Sequence, residues 1–129
     1  PPAVDASDPR VLRASVGGVR FPAWGRKAHW VASGRRSDRV GGRDATTVFY
    51  DGDDGTRLGY TIVSGAALAW PHGARVAVHD GVAVRLLRDH GRRIAAWRVA
   101  GHTCVISAPA SVPESRLVEL ASGATYGPA

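Results

Sequence analysis

Apolar and polar residues alternate along most of this chain, and that period of two is typical of β-strands. The clearest case is residues 94–107, IAAWRVAGHTCVIS, in which two apolar runs meet at Ala100-Gly101. Trp97 falls on one face of the first run and Arg98 on the other, so one face should be buried and the other wetter. We therefore predict that this hairpin lies at the centre of a sheet.

Other alternating runs and turn sequences predict the rest of the sheet. Residues 44–51 and 56–64 flank a DGDDG sequence, and Asp and Gly tolerate the positive φ of tight turns. Residues 29–40 give another strand, and residues 75–107 give an antiparallel meander of four. The period becomes helical only near residues 113–122. The predicted fold class is α+β, mostly β: an antiparallel meander sheet of about six to eight strands with one short C-terminal helix.

The chain, at 129 residues, has the length of one ordinary domain. Residues 1–12 contain several prolines and two aspartates, so we predict an extended linker or the remnant of a stalk there. Residues 13–123 are predicted to form a single β-rich, sensor-like domain. Residues 124–129 are expected to be a tail.

The chain is basic, with 17 Lys and Arg against 11 Asp and Glu and a net charge of +6. A G+C-rich genome accounts for the bias toward Arg, Ala and Gly as readily as selection for a charged partner does. Two basic pairs, Arg26-Lys27 and Arg35-Arg36, are the candidates for a surface that meets anionic lipid or an acidic partner. The basic pairs are dispersed over turns, so no nucleic-acid partner is expected. A basic module that binds nucleic acid or another anionic surface remains the alternative.

The residues with chemical potential favour a structural interpretation. Trp97, Cys104, Tyr60 and Val48 are predicted to lie in the core, and a single cysteine excludes an internal disulfide. His102 and Cys104 share a strand face and could bind one metal ion or form a Cys-His pair. A metal site needs three or four ligands, and no spacing supplies them, so we expect a packed thiol. We predict no catalytic residue, cofactor or metal, with a small enzyme of unrecognised site as the alternative.

Several segments together carry a family resemblance. They are RSDRV at 36–40, TVFY at 47–50 with its Asp/Gly turn, GYTIV at 59–63, and Trp97-Arg98 followed by GHTCVIS at 101–107 ahead of a Leu-rich helix. In these residues the chain resembles the C-terminal extracytoplasmic region of membrane-anchored, zinc-binding anti-sigma factors of high-G+C bacteria. The resemblance spans residues 24–121.

The resemblance implies a function and a location. In that family a cytoplasmic zinc-binding segment holds a sigma factor, one membrane helix follows, and the outer domain lies beyond it. This sequence contains neither the His-xxx-Cys-xx-Cys ligands nor an apolar run long enough for a membrane span. We therefore expect a non-catalytic regulatory or sensor domain on the extracytoplasmic side of the cell membrane, tethered as part of a single-pass membrane protein. Its expected partner is an unidentified extracytoplasmic ligand or protein, and it would meet a sigma factor only through the missing cytoplasmic segment.

Overall fold

The computed structural model describes residues 1–25 and 29–126, and these residues form ten strands and one helix. In chain order the elements are β1 (Val4–Asp5), β2 (Asp8–Val16), β3 (Val19–Pro22), β4 (Trp30–Val40), β5 (Arg43–Gly52), β6 (Arg57–Val63), β7 (Arg75–His79), β8 (Val82–Asp89), β9 (Arg92–Val99), β10 (His102–Pro109) and α1 (Glu114–Tyr126). The first three strands form a small antiparallel sheet. The other seven form a large antiparallel sheet in the order β4-β5-β6-β10-β9-β8-β7. The predicted mostly β fold with one C-terminal helix is confirmed.

The hairpin of β9 and β10 occupies the centre of the large sheet, as the sequence predicts. Strand β10 is the middle strand of the seven and pairs with β6 on one side and β9 on the other. After β6 the chain crosses through residues 64–74 to the far edge and returns through β7, β8 and β9. The sheet therefore consists of two meanders joined by the pairing of β6 with β10.

Tight turns fix the register of the hairpins. Ala100 and Gly101, between β9 and β10, have φ angles of 48° and 80°, and Asp80-Gly81 and His90-Gly91 show the same pair of positive values. Two-residue turns of this kind match the right-handed twist of the strands that they join. Because a shift of one residue would turn every side chain to the other face, these turns decide which residues are buried.

The inner face of the large sheet carries the main core. The small sheet and the residues after it supply aromatic rings to this face: the Phe21 ring lies 5.6 Å from that of Tyr60, and the Trp24 ring lies 4.7 Å from that of Tyr50. The Tyr50 hydroxyl donates a hydrogen bond of 2.7 Å to the Pro22 carbonyl. These contacts hold the small sheet against β5 and β6.

The four residues predicted to be in the core are all there. Val48, Trp97 and Cys104 have no exposed surface, and Tyr60 is 1% exposed. The Trp97 ring meets the Tyr60 ring edge-on at 5.4 Å, which is a favourable geometry for aromatic pairs. The core prediction is confirmed.

Helix α1 covers the rest of the inner face, over β7, β8 and β9. Two polar contacts pin it to the edge strand β7: the Arg75 guanidinium bonds the Glu114 carboxylate, and His79 Nδ1 lies 2.9 Å from Ser122 Oγ. Leu117 and Ala121 lie on the side of the helix that faces the sheet and are fully buried. Packing of this apolar stripe stabilises a helix that would be marginal alone.

The helix is longer than the sequence predicts. We expect it near residues 113–122 with Gly123 as its end, but it begins at Glu114 and continues through Gly123 to Tyr126. A glycine inside a helix costs only about 1 kcal/mol relative to alanine, so one glycine need not end it. Part of the predicted 124–129 tail is therefore helix, and residues 127–129 lie outside the described residues.

The N-terminal region differs from the prediction of a linker at residues 1–12. Val4–Asp5 and Asp8–Val16 are strands of the small sheet, and Leu12 is 1% exposed within the core. The Asp5 carboxylate binds the Arg20 guanidinium across this sheet. Proline excludes a helix, but it is tolerated at the beginning of a strand, where Pro9 lies. The folded domain thus begins well before residue 13.

Candidate functional site

The outer face of the large sheet faces away from the helix and the small sheet, and a loop covers part of it. The backbone amide of Leu68 donates to the Thr103 hydroxyl at 2.9 Å, and Arg98 donates to the Leu68 carbonyl at 2.9 Å. The Trp70 ring packs against two guanidinium carbons, those of Arg98 at 4.4 Å and Arg85 at 4.6 Å. These contacts fix residues 64–74 over one part of the outer face.

The uncovered part of this face forms a groove of about 360 Å³. Five neighbouring strands contribute side chains to it, because alternate residues of each strand point outward. Its lining residues are Arg36, Thr47, Phe49, Arg57, Gly59, Thr61, Arg92 and Ser107. We call this site the arginine groove.

Two of its guanidinium groups are held by carboxylates. Arg36 Nε donates to both Asp38 oxygens, at 2.9 and 3.1 Å, and Arg57 Nε donates to Asp51 at 2.7 Å. The bond from Arg36, with a second from Thr47, lowers the pKa of Asp38. The bond from Arg57 is the main cause of the lowered pKa of Asp51. Both carboxylates are therefore charged at neutral pH and orient the arginines.

An aromatic ring lies between the first two arginines, and a third arginine lies across the groove. The guanidinium carbons of Arg36 and Arg57 lie 5.1 and 6.0 Å from the Phe49 ring centroid, within the range of cation–π attraction. Arg92 is anchored differently: its Nε donates to the Ser107 hydroxyl at 2.7 Å and its Nη2 to the Ser107 carbonyl at 3.0 Å. The groove thus combines three oriented cations with one ring.

The floor of the groove is made of small and hydroxyl-bearing residues. The Thr47 hydroxyl donates to Asp38 at 2.7 Å and lies 2.6 Å from the Thr61 hydroxyl, so Thr61 donates to Thr47. A Cβ at Gly59 would lie 3.4 Å from the Thr47 methyl and 3.6 Å from the Phe49 ring. Gly59 therefore keeps the floor low at the point where a side chain would fill it.

The structure describes two of the four residues predicted to form a basic surface, Arg35 and Arg36, and places them on opposite faces of β4. Arg36 lines the groove, whereas its strand neighbour Arg35 points to the opposite face and does not. Arg26 and Lys27 lie outside the described residues. Only one of the four is therefore placed in the groove.

Sequence reasoning missed Arg57, Phe49 and Arg92 as site residues. Alternation alone places Arg57 on the same face as Gly59 and Thr61, so that signal was present in the sequence. The position of Arg92 depends on the pairing of β10 with both β6 and β9, which brings distant parts of the chain together. No local pattern predicts that pairing.

The candidate Cys-His pair does not form a chemical site. Cys104 has no exposed surface, and burial raises the pKa of its thiol to about 12, so it is not a thiolate at neutral pH. His102 instead places its Nδ1 3.1 Å from the Val63 carbonyl. Within the described residues, no three His, Cys, Asp or Glu side chains are grouped so that they could hold a metal ion.

A second depression, of about 440 Å³, lies between the start of α1 and the turn after β5. It contains the acidic turn residues Asp53 and Asp54 together with His29 and Arg116. Asp54 accepts a hydrogen bond of 2.9 Å from the Thr56 amide, which is the role of a turn residue. Charges of both signs line this depression, whereas the lining of the arginine groove carries charges of one sign only.

Comparisons of the chain with protein-family models, with curated proteins and with solved structures give no match. No helix among the residues that the structure describes is long and apolar enough to cross a membrane.

Proposed function

We propose that this chain is a non-catalytic regulatory domain on the extracytoplasmic side of a membrane-anchored anti-sigma factor, where it controls transcription that depends on the sigma factor. One observation carries the proposal. The segments that resemble this family, 36–40, 47–50, 59–63 and 101–107, supply most of the arginine groove. Their alternate residues face the core, so the same segments build both the fold and the groove.

The arginine groove would be the place where the domain receives its signal. A ligand that binds there more tightly in one state of the domain shifts the population toward that state. Strand β5 offers a route for the shift, because Phe49 lines the groove while its neighbour Tyr50 donates to the Pro22 carbonyl in the small sheet. The small sheet contains the N-terminal strands, so a change in β5 would reach the part of the domain nearest a membrane tether.

A second candidate function is a basic module that binds single-stranded nucleic acid. The observation that favours it is the Phe49 ring between Arg36 and Arg57, since bases stack on aromatic rings beside cations. Fluorescence anisotropy with a labelled oligonucleotide distinguishes the two functions. Salt-dependent binding that is lost in Phe49→Ala supports the module and counts against a sensor.

Deletion of this domain from the full-length protein in its host tests the regulatory proposal. We expect expression of the sigma-dependent genes to change under resting conditions, under stress, or under both. A matched strain that expresses the exposed-site variant Arg39→Ala at wild-type level is the control. Unchanged expression in both conditions after deletion would contradict the proposal.

A further inference from the structure

We infer that the arginine groove binds a small organic or inorganic ligand that carries at least two acidic groups, such as phosphates or carboxylates. The inference rests on the proposed role of the domain as a receiver of an external signal. It goes further by assigning the chemical class of the ligand.

The three guanidinium groups of the groove are held in place and still have N–H donors without a partner among the described residues. Arg36 bonds Asp38 through Nε alone, which leaves both terminal nitrogens for a ligand among the contacts of the described residues. Arg57 and Arg92 each use Nε and Nη2, which leaves Nη1. Ser107 accepts its hydrogen bond from Arg92, so its own hydroxyl proton remains available. Donors held in place in this way lose little freedom when an anion binds.

The spacing of the arginines indicates more than one acidic group. Arg36 lies on β4 and Arg92 on β9, four strand spacings apart, or about 19 Å between backbones. Arg57, on β6, lies between them. A single phosphate cannot contact all three guanidinium groups across that distance, whereas a ligand with two acidic groups offers a separate anionic group to each end of the row.

The shape of the site favours a small ligand. The groove volume of about 360 Å³ falls within the range of small-molecule sites, about 300–1,000 Å³. Residues 64–74 cover an adjoining part of the same face, because the Leu68 amide is bonded to Thr103 and Trp70 packs on Arg98. A long polymer that ran along β9 and β10 from the groove would meet this loop.

Charge complementarity supplies the preference for anions. Three arginines line the groove, and Asp38 and Asp51 lie behind two of them, so one positive charge remains uncompensated. Bidentate contacts from guanidinium to phosphate or carboxylate are shorter and stronger than neutral hydrogen bonds. The two carboxylates limit the affinity, and the ligand approaches the terminal nitrogens that they leave free.

Isothermal titration calorimetry with inorganic pyrophosphate, and with orthophosphate for comparison, tests the inference at low ionic strength without divalent cations. We expect pyrophosphate to bind more tightly than orthophosphate and to weaken as salt is added. Arg36→Ala and Arg57→Ala should each weaken pyrophosphate binding by at least about tenfold. Arg39→Ala is the matched control. Arg39 is an exposed arginine on β4, the strand of Arg36, and its guanidinium pairs with Asp44 outside the groove.

Two further variants remove ambiguity from that experiment. Gly59→Ala changes no charge, and its Cβ would lie at ordinary contact distances, so it should weaken binding by filling the floor while the protein stays folded. Arg57→Lys retains the charge and replaces Arg57→Ala if that variant does not fold.

Several results would overturn the inference. The first is the absence of pyrophosphate binding at about 10 mM. The second is that Arg36→Ala and Arg57→Ala bind pyrophosphate as tightly as Arg39→Ala does. The third is that the protein sediments with phosphatidylglycerol vesicles but does not bind pyrophosphate, which would indicate a membrane surface as the partner. Because this test uses the isolated domain, it can fail while the deletion test of the proposed function succeeds, and the reverse is also possible.

Discussion

The inner and outer faces of the large sheet are built from the same strands and yet differ in almost every property. On β5, Val48 and Tyr50 point inward and have no exposed surface, whereas Thr47 and Phe49 point outward into the groove. The inner face is a dry cluster of aromatic and aliphatic side chains, and the outer face carries arginines held by carboxylates. Alternate residues of this single strand therefore belong to two different environments, the packed core and the groove.

Each face also contains residues that depart from this pattern. Thr47, on the outer face, is only 3% exposed, but its hydroxyl is bonded to Asp38 and Thr61. Trp97, on the inner face, buries its indole Nε1 without a hydrogen-bond partner among the described residues. An unpaired buried donor costs about 1–3 kcal/mol, which the packing of the large ring must outweigh. Both faces therefore bury polar atoms. They differ in how their side chains pack, since the inner face is a close-packed apolar cluster and the outer face is an open groove.

The largest expected effect comes from truncating the inner face. Trp97→Ala should lower the free energy of unfolding by about 3–5 kcal/mol, because it leaves a cavity beside Tyr60 at the centre of the sheet. Urea denaturation measures the loss. Phe49→Ala is the control on the outer face and should cost clearly less. Equal losses for the two variants would contradict the assignment of stability to the inner face.

The hydroxyl pair under the groove should have the next largest effect. Thr47→Val should lower the free energy of unfolding by about 1–3 kcal/mol, since it leaves the Thr61 donor and Asp38 without their partner in a buried position. The double variant Thr47→Val with Thr61→Val should cost less than the sum of the single variants. Strict additivity in this double-mutant cycle would show that the two hydroxyls do not interact.

Cys104 should behave as a packed side chain with little reactivity. Cys104→Ala should cost about 1–2 kcal/mol through lost packing while the fold is retained. Because burial raises the pKa of the thiol to about 12, labelling with a thiol reagent at pH 8 should be slow in the folded protein and fast in denaturant. Rapid labelling of the folded protein would place this thiol outside the core.

The smallest expected effect is a pH dependence from the outer face. The pKa of Asp38 is lowered in the folded protein, so the folded state binds fewer protons than the unfolded state in acid. The stabilisation is therefore present above the unfolded pKa of about 3.9 and is lost as the pH falls through the lower folded value. Asp38→Asn should flatten the acid side of a plot of unfolding midpoint against pH. An unchanged acid slope in Asp38→Asn would contradict a contribution of this carboxylate to the pH dependence.

Local patterns predicted most of the large sheet because each hairpin is encoded by neighbouring residues. Alternation around Trp97 and the Ala100-Gly101 turn were sufficient to place the central hairpin. The small sheet was missed because prolines and aspartates near the N-terminus resemble a linker, while the burial of Leu12 depends on a distant partner surface. Most of the groove was missed for the same reason. Arg57 and Arg92 line one groove only because β10 pairs with both β6 and β9 and so brings these distant strands into one sheet.

The proposal that the inner face stabilises the domain while the outer face receives its signal is tested most directly in the full-length protein in its host. The variant combines Arg36→Ala, Arg57→Ala and Arg92→Ala, and the measurement is expression of the sigma-dependent genes at rest and under stress. We predict that the isolated variant domain unfolds at nearly the wild-type urea concentration, since exposed ion pairs contribute little to stability. In the host, we predict that the difference in expression between rest and stress is lost. A wild-type response from a protein present at wild-type levels would contradict the assignment of the signal to the outer face.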